Sequence, residues 1–425
     1  MSNSGRIRQE IESAEFTDRL KEIYIDDSRI ERERGRYLEA LKCFEDSFSG
    51  DEIHIYSAPG RSEVGGNHTD HQKGKVLAAS INNDAIAVAC KADGVISVIS
   101  DGQSLISFDV NDIEKKESEE GTTVALIKGV VRGFMDRDYK VGGFKCYMTS
   151  EVLIGAGLSS SAAFETAIGT ILSYLYNGGK VSDVEIAMIG QFAENVYFGK
   201  PCGLMDQMAC SVGNLVYIDF ADIEKPVIEK VDIDLAAAGY ALCITDTKGS
   251  HADLTPDYAA IPVEMKSVAS AFGKNVLREV DEEEFFAAIP ELRAKLSDRA
   301  VLRAIHFFRE NERVTEEVEA LKNNDIVGFM KTVRKSGNSS YKYLQNVYTN
   351  RDVDHQNVSI ALAMSEDYLG ERGASRVHGG GFAGTIQAFV PSDMVEGYKK
   401  LMDGIFGDGA CSVLFIRSFG GIKVL

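Results

Sequence analysis

Between Gly143 and Tyr176 the sequence changes character twice, and this stretch constrains the fold more than any other. Gly143 to Leu153 reads as a strand, and Ser160 to Tyr176 reads as a long helix. The connection runs Leu153-Ile154-Gly155-Ala156-Gly157-Leu158-Ser159-Ser160-Ser161-Ala162-Ala163, rich in small and hydroxylated residues. Small residues let a ligand approach the backbone closely. Successive N–H groups ahead of a helix form a nest for an anion, and the helix dipole adds favourable partial charge. Serine hydroxyls can donate to phosphate oxygens or ligate Mg²⁺. Read without a ligand, the same loop is a turn that caps a helix. It is not a GxxxxGK[ST] loop, and serine fills the third glycine position of a GxGxxG fingerprint. The HRD and DFG motifs of protein kinases are absent.

A chain of 425 residues is too long for one core and suggests two domains. Residues 1–48 carry apolar residues at helical spacing, among them Ile11, Phe16, Leu20, Tyr37, Leu41 and Phe44. They read as a helical extension packed on the N-terminal domain, with a partner-binding arm as the alternative. From Glu52 the pattern alternates and breaks at Ala58-Pro59-Gly60, a strand entering a loop. Lys75 to Ser107 reads as several strands around the turn pair Asp93-Gly94, and Thr122 to Met135 and Val181 to Tyr197 as helices. Further strands are predicted at Asn214–Phe220, Tyr240–Thr245, Thr385–Val390 and Cys411–Arg417. Helices are predicted within Tyr258–Leu344 and at Val358–Tyr368. The expectation is α+β in two halves: an N-terminal domain over 49–213 and a C-terminal domain over 214–425.

The net charge of −19 argues against a nucleic-acid partner. No stretch approaches the roughly 18 apolar residues of a membrane span, and the N-terminus has no apolar signal region. A cytoplasmic location is the expectation. Seven scattered cysteines contain no CxxC pair, so reduced thiols are expected.

Arg61 to Gln72 reads Arg-Ser-Glu-Val-Gly-Gly-Asn-His-Thr-Asp-His-Gln. Such density of donors and acceptors suits a polyhydroxylated substrate, whose hydroxyls each donate and accept; a solvated loop is the alternative. Downstream, Glu194 and Asp206 flank Phe198-Gly199-Lys200-Pro201-Cys202-Gly203. Phosphoryl transfer uses one carboxylate to hold Mg²⁺ and another to orient or deprotonate the attacking hydroxyl. Two carboxylates alone could equally be surface charges.

Together these segments resemble the galactokinase branch of the GHMP kinase family, from about Tyr56 to the C-terminus. Ala58-Pro59-Gly60-Arg61 with Gly66-Asn67-His68-Thr69-Asp70 resembles the galactokinase signature, and Gly155–Ser161 resembles the family's ATP loop. Ser375-Arg376 with His378-Gly379-Gly380-Gly381-Phe382-Ala383-Gly384 resembles its third, glycine-rich motif. The resemblance implies a two-domain α+β GHMP kinase-like fold with the active site between the domains. It implies ATP-dependent phosphorylation of galactose at the anomeric C1 hydroxyl. Asp206 then matches the catalytic aspartate and Arg61 the arginine that stabilises the transferring phosphoryl group. Ser161 and Glu194 match Mg²⁺ ligands. Gly155, Ala156, Gly157, Leu158, Ser159, Ser160 and Ser161 match the triphosphate cradle. Asn67, His68, Thr69, Asp70, Gly203 and Tyr258 fall at sugar-binding positions, Tyr258 being placed by its spacing from His251-Ala252-Asp253-Leu254. Protein partners are left open.

The sequence departs from that pattern in several places. Asn67 stands where galactokinases usually carry glutamate, and Ser62-Glu63 replaces Val-Asn. His378-Gly379 replaces Thr-Gly. Thr123 falls where many members place a tryptophan near adenine, and this chain has no tryptophan. His68-Thr69-Asp70-His71-Gln72 also resembles the HxDHQ stretch of galacturonate kinases, and an asparagine at 67 could donate to a C6 carboxylate. Galacturonate is therefore an alternative substrate. A non-catalytic, sugar-sensing relative is a third reading.

Overall fold

The computed structural model describes residues 3–152, 158–200, 202–249 and 254–425. The first strands are β1 (His54–Gly65), β2 (Lys75–Ala92), β3 (Val95–Ser100), β4 (Ile106–Asp109) and β5 (Gly143–Ser150). Then come β6 (Leu215–Asp219), β7 (Val227–Val231) and β8 (Tyr240–Asp246). Last are β9 (Ala374–Val377), β10 (Thr385–Pro391), β11 (Cys411–Leu414) and β12 (Ile422–Lys423). The larger sheet runs β12-β1-β2-β5-β3-β4, with β6 on the first part of β2 and β7 beside β6. The smaller is an antiparallel β11-β8-β10-β9 sheet.

β2 is the axis of the larger sheet. β1 pairs along most of its length, while β6 takes Lys75–Ala79 and β5 takes Ala85–Ala92 on the opposite edge. Asp93-Gly94 follows β2 as expected, yet β3 pairs with β5 rather than folding back on β2. Residues Ala85 to Cys90 of β2 are apolar without a break because both faces are covered. Ala85, Ala87 and Ala89 are small and face Phe134, Ile168 and Ile171. These belong to α4 (Thr123–Met135) and α5 (Ser160–Asn177), which pack with α6 (Asp183–Phe192) and α7 (Met205–Val212). The larger Ile86, Val88 and Cys90 face Phe16, Leu41 and Phe44.

Those partners lie on the N-terminal helices α1 (Asn3–Ile11), α2 (Ala14–Tyr24) and α3 (Ile30–Ser47). The extension is thus the third layer of a helix–sheet–helix stack. Its apolar stripe covers the large-residue face of β2, which would otherwise meet water. The remaining helices are α8 (Thr255–Ala271), α9 (Glu282–Lys295), α10 (Asp298–Lys322), α11 (Ile326–Ser339), α12 (Asn357–Leu369) and α13 (Val395–Phe406). α10 and α11 help join the sheets: Val314, Val318, Phe329 and Val333 pack in one core with Leu77 and Ile81 of the larger and Leu242 and Phe389 of the smaller.

The fold is the expected two-domain α and β arrangement, but the division near Gly213 is not where the sheets divide. β6 and β7 follow Gly213 and still belong to the larger sheet, as does β12 at the C-terminus. The change of sheet falls between Val231 and Tyr240. A local pattern does not reveal this, because β6 reads as a strand whichever sheet it joins. All seven cysteines are free thiols. Among the described residues no helix is long and apolar enough to cross a membrane.

Where β2 bends away from β1, Asp84 is fully buried. Its carboxylate meets Arg36 at 2.8 Å, Tyr24 Oη at 2.7 Å and Arg417 at 3.3 Å, and accepts from Ser57 Oγ. Burial pushes this carboxyl up, but Arg36 and Arg417 outweigh burial and hold it below the usual carboxylate range. One charge so ties the extension, both long strands and the C-terminal segment. Asp84→Ala leaves two guanidinium groups without their shared counter-charge and is expected to cost about 3–5 kcal/mol. Urea unfolding of the variant measures it; a loss below about 1 kcal/mol would show that the cluster is not integral.

Candidate active site

β1 is irregular where it approaches the smaller sheet, with register shifts between Pro59 and Arg61 and between Glu63 and Gly65. Such shifts turn side chains away from the regular pleat. Gly60 is needed at the first of them. A Cβ there would lie 2.9 Å from Leu158 O and 2.9 Å from a Val152 methyl. The close approach is sealed by Arg61 N–H, which donates to Leu158 O at 3.1 Å.

Arg61, 7% exposed, then reaches Asp206 in a two-pronged pair, Nε to Oδ1 at 2.7 Å and Nη2 to Oδ2 at 2.9 Å. Asp206 lies in the first turn of α7, where the helix dipole favours negative charge. Ser159 Oγ donates to the same carboxylate from the residue ahead of α5, where φ is +58°. Burial raises the Asp206 pKa, but the Arg61 charge and these hydrogen bonds lower it further, so the carboxyl stays below its ordinary range. The aspartate, the arginine and the serine end of the loop, far apart in sequence, thus meet at one point.

A second carboxylate stands beside them. α6 ends in a π-helical turn over Ala193–Phe198, and its wider coil carries Glu194. Ser161 Oγ donates to Glu194 at 3.1 Å, Lys200 Nζ at 2.9 Å and Gln207 Nε2 at 2.7 Å. Gln207 Nε2 also donates to Glu165 at 3.1 Å. Burial, then the nearby Glu194 charge, pushes Glu165 well above the usual carboxylate range. Sequence reasoning did not single out Glu165, Lys200 or Gln207. Glu165 stands one helical turn after Ser161, and Gln207 adjoins Asp206, the only signals in the sequence.

The Ser161 hydroxyl and the Glu194 carboxylate are hard oxygen donors. Mg²⁺ commonly takes one or two protein oxygens and completes its shell with water and phosphate. Among the described residues no group of three or more His, Cys, Asp and Glu side chains is arranged to hold a metal. The Ser161 and Glu194 oxygens are donors of the kind Mg²⁺ takes.

The polar signature leads to the other side of the cleft. Asp70 packs against Gly203, where a Cβ would lie 2.5 Å from Asp70 Oδ2. His68, with φ +58°, donates from Nε2 to Gly380 O at 3.1 Å and lies beside His71, ring centroids 6.0 Å apart. Tyr258 Oη donates to Gly381 O at 2.8 Å and stands edge-on to Phe382 at 5.3 Å. The glycine run after β9 therefore holds His68 and Tyr258 together. Tyr258 is pushed up to about 12 by burial.

Two expected sugar contacts have other partners. Asn67 is fully buried, and every hydrogen-bonding position of its amide is used inside the protein. Nδ2 donates to Glu63 at 2.9 Å and Gly379 O at 2.8 Å; Oδ1 accepts from Asn346 at 2.8 Å and Ser340 at 3.3 Å. It has no spare donor for a C6 carboxylate, so that argument for galacturonate is corrected. Thr69, also buried, turns its hydroxyl to Lys75 O at 2.6 Å and Gly66 O at 2.9 Å and holds the turn. Gly155, Ala156 and Gly157 of the proposed cradle, with His251 to Asp253, lie outside the described residues. Leu158 to Ser161 lie as stated, Ser160 opening α5.

Residues that depart from the resembled family pattern touch one another. Ser62 and the Glu63 N–H meet His378 Nε2 at 3.1 and 3.4 Å, and His378 Nδ1 meets Thr385 Oγ1 at 2.9 Å. Glu63 accepts from Asn67 and from Arg376 at 2.8 Å. Behind them His306 Nε2 donates to Asn67 O at 2.9 Å, while Nδ1 lies 2.9 Å from Ser339 Oγ.

Comparison with known proteins agrees with this layout. Residues 125–214 match the GHMP kinases N terminal domain, and residues 42–91 the galactokinase galactose-binding signature. A galactokinase from Glaesserella parasuis serovar 5 is 32% identical over 364 residues, 84% of this chain and 91% of that protein. The chain belongs to the galactokinase branch of the GHMP kinase family. A second galactokinase of this family, from Haemophilus influenzae strain PittEE, is 32% identical over 361 residues, covering 83% and 88% of the two chains. The solved Lactococcus lactis galactokinase complexed with galactose superposes with a TM-score of 0.77 at 24% identity, covering 91% of this chain and 100% of that one. Methanococcus jannaschii mevalonate kinase gives 0.61 at 15% identity, with 85% and 98% covered. The chain is thus a GHMP-family small-molecule kinase with an ATP-binding kinase fold.

Two outcomes follow from the geometry. Gly203→Ala would push its Cβ against Asp70 Oδ2; as a test of the expected sugar contact there, galactose affinity should fall about tenfold, roughly 1.4 kcal/mol, in calorimetric titration. His306 is pushed down to about 4, chiefly by burial. An unfolded histidine titrates near 6.5, so the unfolded state binds more protons between those values. The stability tied to neutral His306 is therefore full above about pH 6.5 and is lost as pH falls towards 4. Glu63, Glu165 and Glu317, raised by burial, titrate with the opposite sign, since their stability fades as pH rises. The readout is consequently a difference. The melting-point deficit of His306→Gln against the unaltered protein should shrink between pH 7.5 and pH 5; a constant deficit would contradict the assignment.

Proposed function

We propose that this chain transfers the γ-phosphoryl group of ATP to the anomeric C1 hydroxyl of galactose, giving galactose 1-phosphate and ADP. The observation that carries the proposal is the meeting of Arg61, Asp206 and Ser159 at the start of α5. Asp206 is ionised at neutral pH and can accept a hydrogen bond from the attacking hydroxyl. Its depressed pKa makes it a poor resting place for a proton, so it chiefly orients the hydroxyl, whose proton passes late, as the O–P bond forms, to Asp206 or to a transferred phosphoryl oxygen while ADP departs. Arg61 offsets charge spread over the transferring group. Ser159 and Ser161 supply hydroxyl donors at the mouth of the α5 N-terminus. Bound with ATP at Ser161 and Glu194, Mg²⁺ would neutralise phosphate charge. Lys200 keeps Glu194 compensated.

Asp70, His68, Gly203 and Tyr258 are the sugar contacts in this reading, and the cleft between the two sheets is the reaction site. Cytoplasmic action belongs to the same reading, because ATP is the donor. A kinase for galacturonate is a second reading, favoured only by the stretch His68–Gln72.

The test is an ADP-release assay with galactose, galacturonate, N-acetylgalactosamine, arabinose and mevalonate. Galactose is expected to turn over fastest; preference for galacturonate would replace the first reading with the second. Sugar binding without turnover would point to a sensor. Asp206→Asn is expected to lower kcat by about a thousandfold while sugar binding changes less than about threefold. A near-normal rate in that variant would remove Asp206 from the mechanism.

A further inference from the structure

Three arginines of the N-terminal layer converge on one carboxylate at the edge of the candidate phosphate site. Glu151 follows β5 and is 26% exposed. Arg29, between α2 and α3, reaches one of its oxygens at 3.4 Å. Arg32 pairs with the other, and Arg36 Nε approaches that same oxygen at 3.5 Å. Arg29 and Arg36 are themselves only 15% and 12% exposed. All three also contact the buried Glu33, which fixes their spacing on α3.

The backbone of Glu151 is held as well. Its N–H donates to Asp84 O at 3.0 Å, and Arg36 bridges Asp84 and Glu151. The next residue, Val152, packs with Leu158 in the core between the sheets, and both press on Gly60. Gly60 precedes Arg61, whose N–H is bonded to Leu158 O. Contacts therefore run without a gap from α3 through Glu151 and Val152 to Gly60, Leu158 and Arg61.

We propose that the N-terminal helical layer is a positioning element for nucleotide binding, acting through the grip of Arg29, Arg32 and Arg36 on Glu151. It touches no substrate. It sets where Val152 and Leu158 stand, and so where Arg61 and the start of α5 face the γ-phosphoryl group. An isolated surface ion pair contributes little. Here three cations share one carboxylate, two of them largely out of water, and the carboxylate sits on the chain that enters the site. Small displacements at such a site are amplified, because reacting groups must meet within narrow limits. The inference rests on the reading that the turn leading to Ser161 holds ATP.

The test uses the full chain with Glu151→Gln, Glu151→Asp and Arg32→Ala. Titration calorimetry measures Mg·ATP and galactose separately, steady-state kinetics gives KM for ATP and kcat, and melting reports the fold. Glu151→Gln and Arg32→Ala are expected to weaken Mg·ATP about fivefold to tenfold, with galactose affinity unchanged. Glu151→Asp, which keeps the charge, should recover part of the loss. Unaltered Mg·ATP affinity in Glu151→Gln would overturn this inference and leave the kinase reading standing. Equal weakening of both ligands with a lowered melting point would also overturn it, by reducing the cluster to general stability. Failure of the unaltered protein to bind Mg·ATP would remove both.

Discussion

A strand of 18 residues with both faces out of water governs this molecule. β2 carries small residues towards one helical layer and larger ones towards the other, so it needs both layers. The N-terminal helices answer that need, and their arginines come to the sheet as a consequence. Midway along, between Ala79 and Ala85, β2 changes neighbours from β6 to β5, and β1 beside it loses register there. The irregularity turns Arg61 out of the pleat and lets Gly60 take up Val152 and Leu158. Layering and chemistry share one cause, which is how a doubly buried strand changes partners along its length.

Charge in the cleft is sorted by environment. Asp206 and Glu165 are neighbouring carboxylates, yet their pKa values move in opposite directions. Arg61, Ser159 and a helix N-terminus keep Asp206 ionised, whereas Glu165 has Glu194 nearby and only an amide donor.

The departures from the family pattern read as one change. The usual asparagine and glutamate of the signature stand here as Glu63 and Asn67, exchanged, and the two side chains are hydrogen-bonded. Glu63 turns inward to Arg376, and His378 replaces a threonine where it can reach Ser62 and Thr385. The substituted side chains thus form one hydrogen-bonded network with their surroundings. Asn67 is thereby drawn into the wall of the site.

Much was legible in the chain itself. The strand β5 and the helix α5 follow from patterns within a few residues, as do α10, α12 and β10. The family resemblance named Arg61, Asp206, Ser161 and Glu194 as expected site residues; the contacts Arg61–Asp206 and Ser161–Glu194 are what the folded chain adds. Other features needed the folded chain. β12 has two paired residues and β9 four, too short to show a period. β6 has the pattern of a strand but carries no mark of which sheet it joins. The inward turn of Asn67 and Thr69, the link through Gln207 and the arginines around Glu151 are invisible to any local window. Arg61 and Asp206 are 145 positions apart, Arg32 and Glu151 119. Side-chain alternation and turn chemistry are encoded by neighbours in sequence, so they can be read directly. Partnership across such distances is decided by packing, because only the closed core determines which polar groups lose water together and must pair.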